Sequence, residues 1–227
     1  MYELYIANKN YSSWSLRPWV LMRELDIPFD EHLLPFGQAA LWAEFRKISA
    51  SGKVPALVDE DCVVWDSLAI VEYLAERYAG VWPSDPTARA WARCASAEMH
   101  SGFNELRQRC SMSCGQRVRL HEVGRALGHD IARLGALWND GLERFGGPFL
   151  AGRAFCAVDA FFAPVAFRIQ SYNLILDTAS AAYARRLLEL RSMQAWYAAA
   201  LEEKMRDEPH EVEVRQLGTI LQDLRQR

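Results

Sequence analysis

Asn10-Tyr11-Ser12-Ser13-Trp14-Ser15-Leu16-Arg17-Pro18 is the stretch on which the reading of this chain turns. Before it, Tyr2 to Ala7 is a short β-prone run; after it, Leu16, Val20, Leu21 and Leu25 fall at helical spacing until Asp26-Ile27-Pro28 halts them. Pro18 suits a first helical turn, where its missing N–H does no harm, so the serines belong at or just before a helix N-terminus. Backbone donors there favour an anion, although serine at such a place is more often only a cap.

Working outward, Phe29 to Leu34 is a second β-like run, followed by a predicted helix over Gln38 to Arg46. Val54 to Val58 and Cys62 to Trp65 read as two strands joined by the acidic turn Asp59-Glu60-Asp61. Ser67 to Tyr78 then places Leu68, Val71, Leu74, Ala75 and Tyr78 on one stripe, with Asp66 or Ser67 as N-cap. The predicted order is β-α-β-α-β-β-α over residues 1–80. Two prolines in Gly80 to Pro86 break the pattern, and a linker is expected over 81–86.

Beyond the linker strand signals vanish, and an all-helical bundle is expected over 87–205. Trp91, Ala95, Met99 and Phe103 recur every four residues, and Leu127, Ile131, Leu134, Trp138, Leu142 and Phe145 step by threes and fours. Further helices are expected over Val158 to Tyr172, Tyr183 to Leu190 and Met193 to Lys204. A charged tail, 206–227, carries Val214, Leu217, Leu221 and Leu224, the spacing of a last helix. Arg107, Arg109, Arg117, Arg119 and Arg125 make the middle of the chain locally positive, which a solvated helix face explains more simply than an anion site.

Composition narrows the function classes. At 227 residues, 51% apolar and 24% charged, the chain can bury a sizeable core, which excludes disorder and a disulfide scaffold. A net charge of −3 argues against nucleic acid as a partner. No apolar run nears the ~18 residues that span a bilayer, and the start lacks a signal core, so no membrane partner and a cytoplasmic location are expected. Five cysteines without a C-x-x-C, and no histidine at zinc-finger spacing from them, call for no metal. Cys110 and Cys114 are the nearest thing to a redox pair, with inert thiols the simpler reading.

Three clusters carry chemistry. The serines near Trp14 have no Gly-x-Ser-x-Gly elbow and no histidine at an obvious spacing, so they donate hydrogen bonds rather than attack. Ser51-Gly52-Lys53-Val54-Pro55 puts a proline at the entry to a strand, where it forbids one ladder bond; edge-strand punctuation competes with a backbone turned toward a ligand. Trp65-Asp66-Ser67 opens a helix with an acid and a hydroxyl, for which capping alone is again an alternative.

Together, in this order, the clusters resemble the glutathione transferases, with a thioredoxin-like first domain and a helical second one. The resemblance covers residues 1–205. It extends to Phe149-Leu150-Ala151-Gly152-Arg153 before Cys156-Ala157-Val158-Asp159, similar to the family's helix-start signature with Cys156 in place of the usual hydroxyl cap. Ser-Ser-x-Ser is similar to the serine-type enzymes, especially the zeta class with its maleylacetoacetate isomerases, although Trp14 stands where that class shows cysteine.

The resemblance implies a glutathione transferase that conjugates or isomerises small electrophiles in detoxification, as a homodimer, with glutathione as cosubstrate. Ser12 maps to the thiol-facing hydroxyl and Ser13 neighbours it. Asp66 would pair with the γ-glutamyl ammonium, Ser67 with its carboxylate, and the Val54 backbone beside Pro55 with the cysteinyl residue. Lys53, and less directly Gln38, would meet the glycyl carboxylate; a purely solvated Lys53 competes with that role. Trp14, Met99 and Phe103 are candidate walls of the acceptor pocket, with core packing an alternative for the last two.

A free thiol of pKa about 8.5 is only about 3% ionised at pH 7, and lowering that pKa by about two units requires roughly 2.7 kcal/mol. A hydroxyl hydrogen bond and a helix terminus are of that size. A non-catalytic glutathione-binding module and a thiol–disulfide enzyme are the competing classes; the second lacks a cysteine beside the first helix.

Overall fold

The computed structural model describes residues 1–226. Tyr2–Ile6 (β1), Ser13–Glu24 (α1), Phe29–Leu33 (β2), Ala39–Ile48 (α2), Ala56–Asp59 (β3), Cys62–Val64 (β4) and Ser67–Ala75 (α3) follow in the predicted order. The sheet runs β2-β1-β3-β4, with β1 and β2 parallel and the other pairs antiparallel. Two apolar layers hold it. Leu4 and Ile6 of β1 pack with Leu16, Val20 and Leu21 of α1 and with Ile70, Val71 and Leu74 of α3, while Leu34, Phe45 and Ala56 form a separate cluster under α2. One detail departs from expectation: Pro18 lies inside α1 rather than in its first turn, because the helix already starts at Ser13.

Val81 and Trp82 of the expected linker are buried, and Asp85 caps the next helix by accepting from the Ala88 N–H at 2.7 Å. Pro86–Ser101 (α4), Asn104–Arg109 (α5), Gln116–Leu120 (β5), Arg125–Phe145 (α6), Ala157–Tyr172 (α7), Thr178–Glu189 (α8), Arg191–Glu202 (α9), Glu208–Leu217 (α10) and Gly218–Asp223 (β6) complete the chain. The apolar α7 is buried along nearly its whole length and packs on α1, α4 and α8. Its start is held by Asp159, which accepts from the backbone of Leu150 and Cys156 (both 3.0 Å) and from the Tyr183 hydroxyl (2.8 Å). The acid thus anchors the helix whatever Cys156 contributes as a cap.

Three sequence expectations are corrected here. The helical half holds a two-stranded antiparallel ribbon, β5 with β6, so strands do not vanish after the linker. Val214, Leu217, Leu221 and Leu224 do not share one helix, since α10 stops at Leu217 and Gly218 begins β6. The strand needs glycine there: a Cβ at position 218 would stand 2.6 Å from Val118 Cγ1 and 2.7 Å from the Arg119 carbonyl oxygen across the ribbon. The arginines do not share a solvated helix face either. Arg107 and Arg109 belong to α5, Arg117 and Arg119 to β5, and Arg125 opens α6.

The C-terminal segment folds back over the start of α1. Buried Arg225 pairs with Glu211, with Asp223 at 2.5 Å, and donates to the Tyr11 hydroxyl at 2.9 Å, which itself donates to Glu211 at 2.6 Å. α10 is thereby fixed one residue away from the serine cluster.

Candidate functional site

The serines face a hollow of about 470 Å³ between the sheet half and the helical half, whose lining includes Ser12, Ser13 and Trp14 from α1, Arg107 and Arg168 from the helices, and His210 from α10. A second hollow of about 600 Å³ is lined by Trp14, Ser51, Lys53, Val54, Pro55, Trp65 and Asp66. Trp14, Lys53 and Val54 line both, so the two form neighbouring compartments of one cleft. Ser12 and Ser13, Lys53 and Val54, and Asp66, far apart in sequence, converge on it.

The two serines are not equivalent. Ser12 is the N-cap residue of α1, yet its side chain caps nothing: its hydroxyl donates to Ser15 Oγ at 2.7 Å, and Ser15 Oγ also accepts from the Ala7 N–H at 3.2 Å. Ser13 Oγ accepts from Arg168 Nη2 at 3.2 Å. That bond occupies an acceptor site on Ser13 and leaves its proton to point elsewhere.

Arg168 is buried, and its remaining bonds go to the carbonyl oxygens of Cys110 and Arg107. Among the described residues it forms no ion pair, and burial pulls its guanidinium down to about 10. Arg17, also buried, stacks over Trp14 at 4.1 Å and Phe161 at 4.9 Å. Burial first, and then the like charges of Arg107 and Arg168, lower it to about 9. Arg107 is shifted the same way by its own burial. Among the described residues none of these three arginines pairs directly with a carboxylate, so positive charge is concentrated behind the serines.

At the other end, Asp66 caps α3 by accepting from the Leu68 N–H at 2.9 Å, and its second oxygen lies 3.2 Å from His100 Nε2. Burial lowers the His100 pKa. Ser67 follows Asp66 but lines neither hollow, and its fully buried hydroxyl has no partner among the described residues. The Val54–Pro55 bond is cis, and Lys53 is exposed beside it.

Two expected wall residues lie elsewhere. Met99 and Phe103 are buried in the main core and line neither hollow. Phe103 does not even share a helix with Met99, because α4 ends at Ser101 with Gly102 as its C-cap, and Phe103 takes a left-handed turn before α5. Gln38 sits at the start of α2, where its amide meets Met205 Sδ at 3.2 Å. Cys110 and Cys114 are free and buried, and burial pushes the Cys110 thiol up to about 12, which suits inert thiols rather than a redox pair.

Sequence reasoning missed Arg168 and His210, and read Arg107 as part of a solvated face. A charged residue inside the apolar run Val158 to Tyr172 was the available signal for Arg168. No local pattern marks His210.

Residues 11–77 match the family model described as "Glutathione S-transferase, N-terminal domain". Among curated proteins, the chain is 32% identical over 105 residues to a "Probable maleylacetoacetate isomerase" of Caenorhabditis elegans, covering 45% of this chain and 48% of that one. It is 44% identical over 63 residues to glutathione S-transferase Z2 of Arabidopsis thaliana, covering 27% and 28%. The matches thus span less than half the length of these relatives. Among solved structures, a glutathione transferase homolog from Burkholderia with bound glutathione aligns with a TM-score of 0.65 at 22% identity, over 88% of this chain and 97% of that one. A diazinon-metabolizing glutathione S-transferase of the silkworm Bombyx mori aligns with a TM-score of 0.70 at 16% identity, over 88% and 96%. The segment that carries the serine cluster thus matches the N-terminal domain of the glutathione S-transferases, and the fold is shared with solved glutathione transferases along nearly the whole chain.

Proposed function

We propose that the chain binds glutathione along the cleft, holds its sulfur as thiolate at the start of α1, and transfers it to a small electrophile. The γ-glutamyl ammonium pairs with Asp66, the cysteinyl backbone adds to Val54 as a strand, and Lys53 meets the glycyl carboxylate. The sulfur then lies by Ser12 and Ser13, with the electrophile in the 470 Å³ hollow beyond.

The observation that carries this reading is the pairing of Ser13 with a buried arginine that makes no direct ion pair among the described residues. An anion beside Ser13 would supply that counter-ion. Ser13 donates to it without breaking a bond, whereas Ser12 must first give up Ser15. Ser13 is therefore the principal thiolate donor on this reading, and Ser12, the thiol-facing position by motif, the secondary one. Trp14 closes the near wall.

Retention on immobilised glutathione and calorimetric uptake of the tripeptide test binding, and turnover of an electrophile panel tests transfer. Uptake without turnover of any member would reduce the protein to a binding module. Absence of both would end the reading. A homodimeric state and a cytoplasmic location belong to the same proposal, tested by sedimentation and by cell fractionation.

A further inference from the structure

The C-terminal helix places an oriented imidazole in the cleft. His210 Nδ1 lies 2.5 Å from Asp207 Oδ2, and the ring is stacked between Tyr11 (centroids 5.0 Å apart, 21° between planes) and Phe36 (5.3 Å, 29°). Asp207 is itself buried and also accepts from the His210 N–H at 3.3 Å. Capping α10 requires only that backbone bond; the bond to the ring is additional. It fixes which way the imidazole faces and leaves Nε2 without a hydrogen-bond partner among the described residues. His210 lines the same 470 Å³ hollow as Ser12 and Ser13. A carboxylate on one ring nitrogen with the other nitrogen free is the arrangement that lets an imidazole gain and release a proton.

The charged and titratable groups around the ring are Asp207 and Glu213 on its own helix segment, Tyr11 from the loop before α1, and Lys53, Arg107 and Arg168 across the hollow. Asp207 is the carboxylate in direct contact with the ring. The arginines favour the thiolate.

Resting on the glutathione reading above, we infer that His210, held by Asp207, is the proton carrier of the site, and that the acceptors it serves are alkenes conjugated to a carbonyl. The thiol S–H bond breaks as glutathione binds, and its proton passes to His210 Nε2, leaving thiolate and imidazolium. Sulfur bonds to the β-carbon of the acceptor while the alkene electron pair moves onto the carbonyl oxygen as an enolate. Nε2–H then gives its proton to the enolate, and neutral imidazole is restored. Glutathione plus acceptor equals adduct, with no proton left over. Displacement of halide from an aryl ring has no such return step, since the halide leaves as the anion and the proton is released to solvent. The carrier therefore matters most for addition.

The test compares kcat/KM for an α,β-unsaturated ketone and for an activated aryl halide in the wild type, His210→Gln and Asp207→Ser. Serine keeps a good helix cap while removing the carboxylate from the ring. General acid–base groups contribute about 10²–10⁴-fold, so His210→Gln is expected to lose about 100-fold or more on the ketone and only a few-fold on the aryl halide. Asp207→Ser, changing a positioning residue, should shift the ratio of the two activities in the same direction. Equal losses on both acceptors, or no loss on either, overturn the carrier role while calorimetry still shows glutathione uptake. A wild type that takes up no glutathione overturns the site reading and this inference together.

Discussion

Removing the Ser13 hydroxyl separates the proposed role of Ser13 from the motif-based expectation for Ser12. The magnitude follows from the contacts. A hydrogen bond to a charged group is worth about 1.5–3 kcal/mol, which is about 1–2 pKa units of the bound thiol. Ser13 can make that bond at no loss, so Ser13→Ala should raise the thiol pKa by the whole amount. Ser12 must exchange its 2.7 Å bond to Ser15, a neutral interaction of about 1 kcal/mol, so the net effect of Ser12→Ala should be smaller, roughly 0.5–2 kcal/mol.

Arg168 adds a longer-range contribution. With its guanidinium one hydroxyl away from the sulfur, at a separation of about 6 Å, and an effective dielectric constant of about 20, it supplies roughly 3 kcal/mol. Arg168→Met, an unbranched apolar replacement, should therefore raise the thiol pKa by about two units. The assay is the ultraviolet absorbance of thiolate in the enzyme–glutathione complex, titrated with pH, with circular dichroism as a check on folding. The expected order of pKa increase is Arg168→Met, then Ser13→Ala, then Ser12→Ala. If Ser12→Ala raises the pKa more than Ser13→Ala does, the sulfur sits on Ser12 and the reasoning from hydrogen-bond direction is refuted.

Asp66→Asn keeps the cap on α3 but removes the charge, so the glutathione Kd measured by calorimetry should rise about tenfold, the equivalent of roughly 1.4 kcal/mol, with the melting temperature little changed. Asp159→Ala, which strands the Leu150 and Cys156 N–H groups and the Tyr183 hydroxyl, should cost roughly 3 kcal/mol in urea unfolding. Burial lifts the Asp159 pKa from 3.8 to about 6, so the folded state takes up this proton more readily than the unfolded chain. Its contribution to stability is then greatest below about pH 4 and is lost as the pH rises through about 6, a dependence that thermal melts should show in the wild type and not in Asp159→Asn. Arg225→Met leaves Glu211 buried without its cation and should cost about 3 kcal/mol or more; limited proteolysis should cut first between α9 and β6.

The architecture of residues 1–80 was legible because each element there carries its own local signal. Alternating β-prone runs, a 3.6-residue stripe and a proline or acidic turn punctuate it every few residues. The ribbon of β5 and β6 was not legible, for two reasons. Val214, Leu217, Leu221 and Leu224 have a helical spacing by coincidence, and the strand they partly form is paired with residues about a hundred positions earlier. Gly218 is the one local mark of the change, and its meaning comes from the close approach of Val118 and Arg119, which only the folded chain reveals.

The site divides the same way, and the division is chemically informative. Lys53, Val54 and Asp66, proposed to hold the peptide, sit in short motifs next to the turns that present them, so sequence could name them. The groups proposed to act on the sulfur and its proton come from distant helices: Arg168 is 155 positions from Ser13, and α10 reaches Tyr11 across 200. The burial of Arg168 nonetheless makes it stand out once the fold is known. An apolar helix such as α7 would be more stable with an aliphatic residue at position 168, since a buried, unpaired guanidinium costs several kcal/mol of desolvation. Two carbonyl oxygens and a serine satisfy part of its hydrogen-bonding capacity but none of its charge. A charge kept at that cost, with its pKa depressed and a hydroxyl between it and an open hollow, is poised for an anion that arrives from outside, and the thiolate proposed at Ser13 is such an anion.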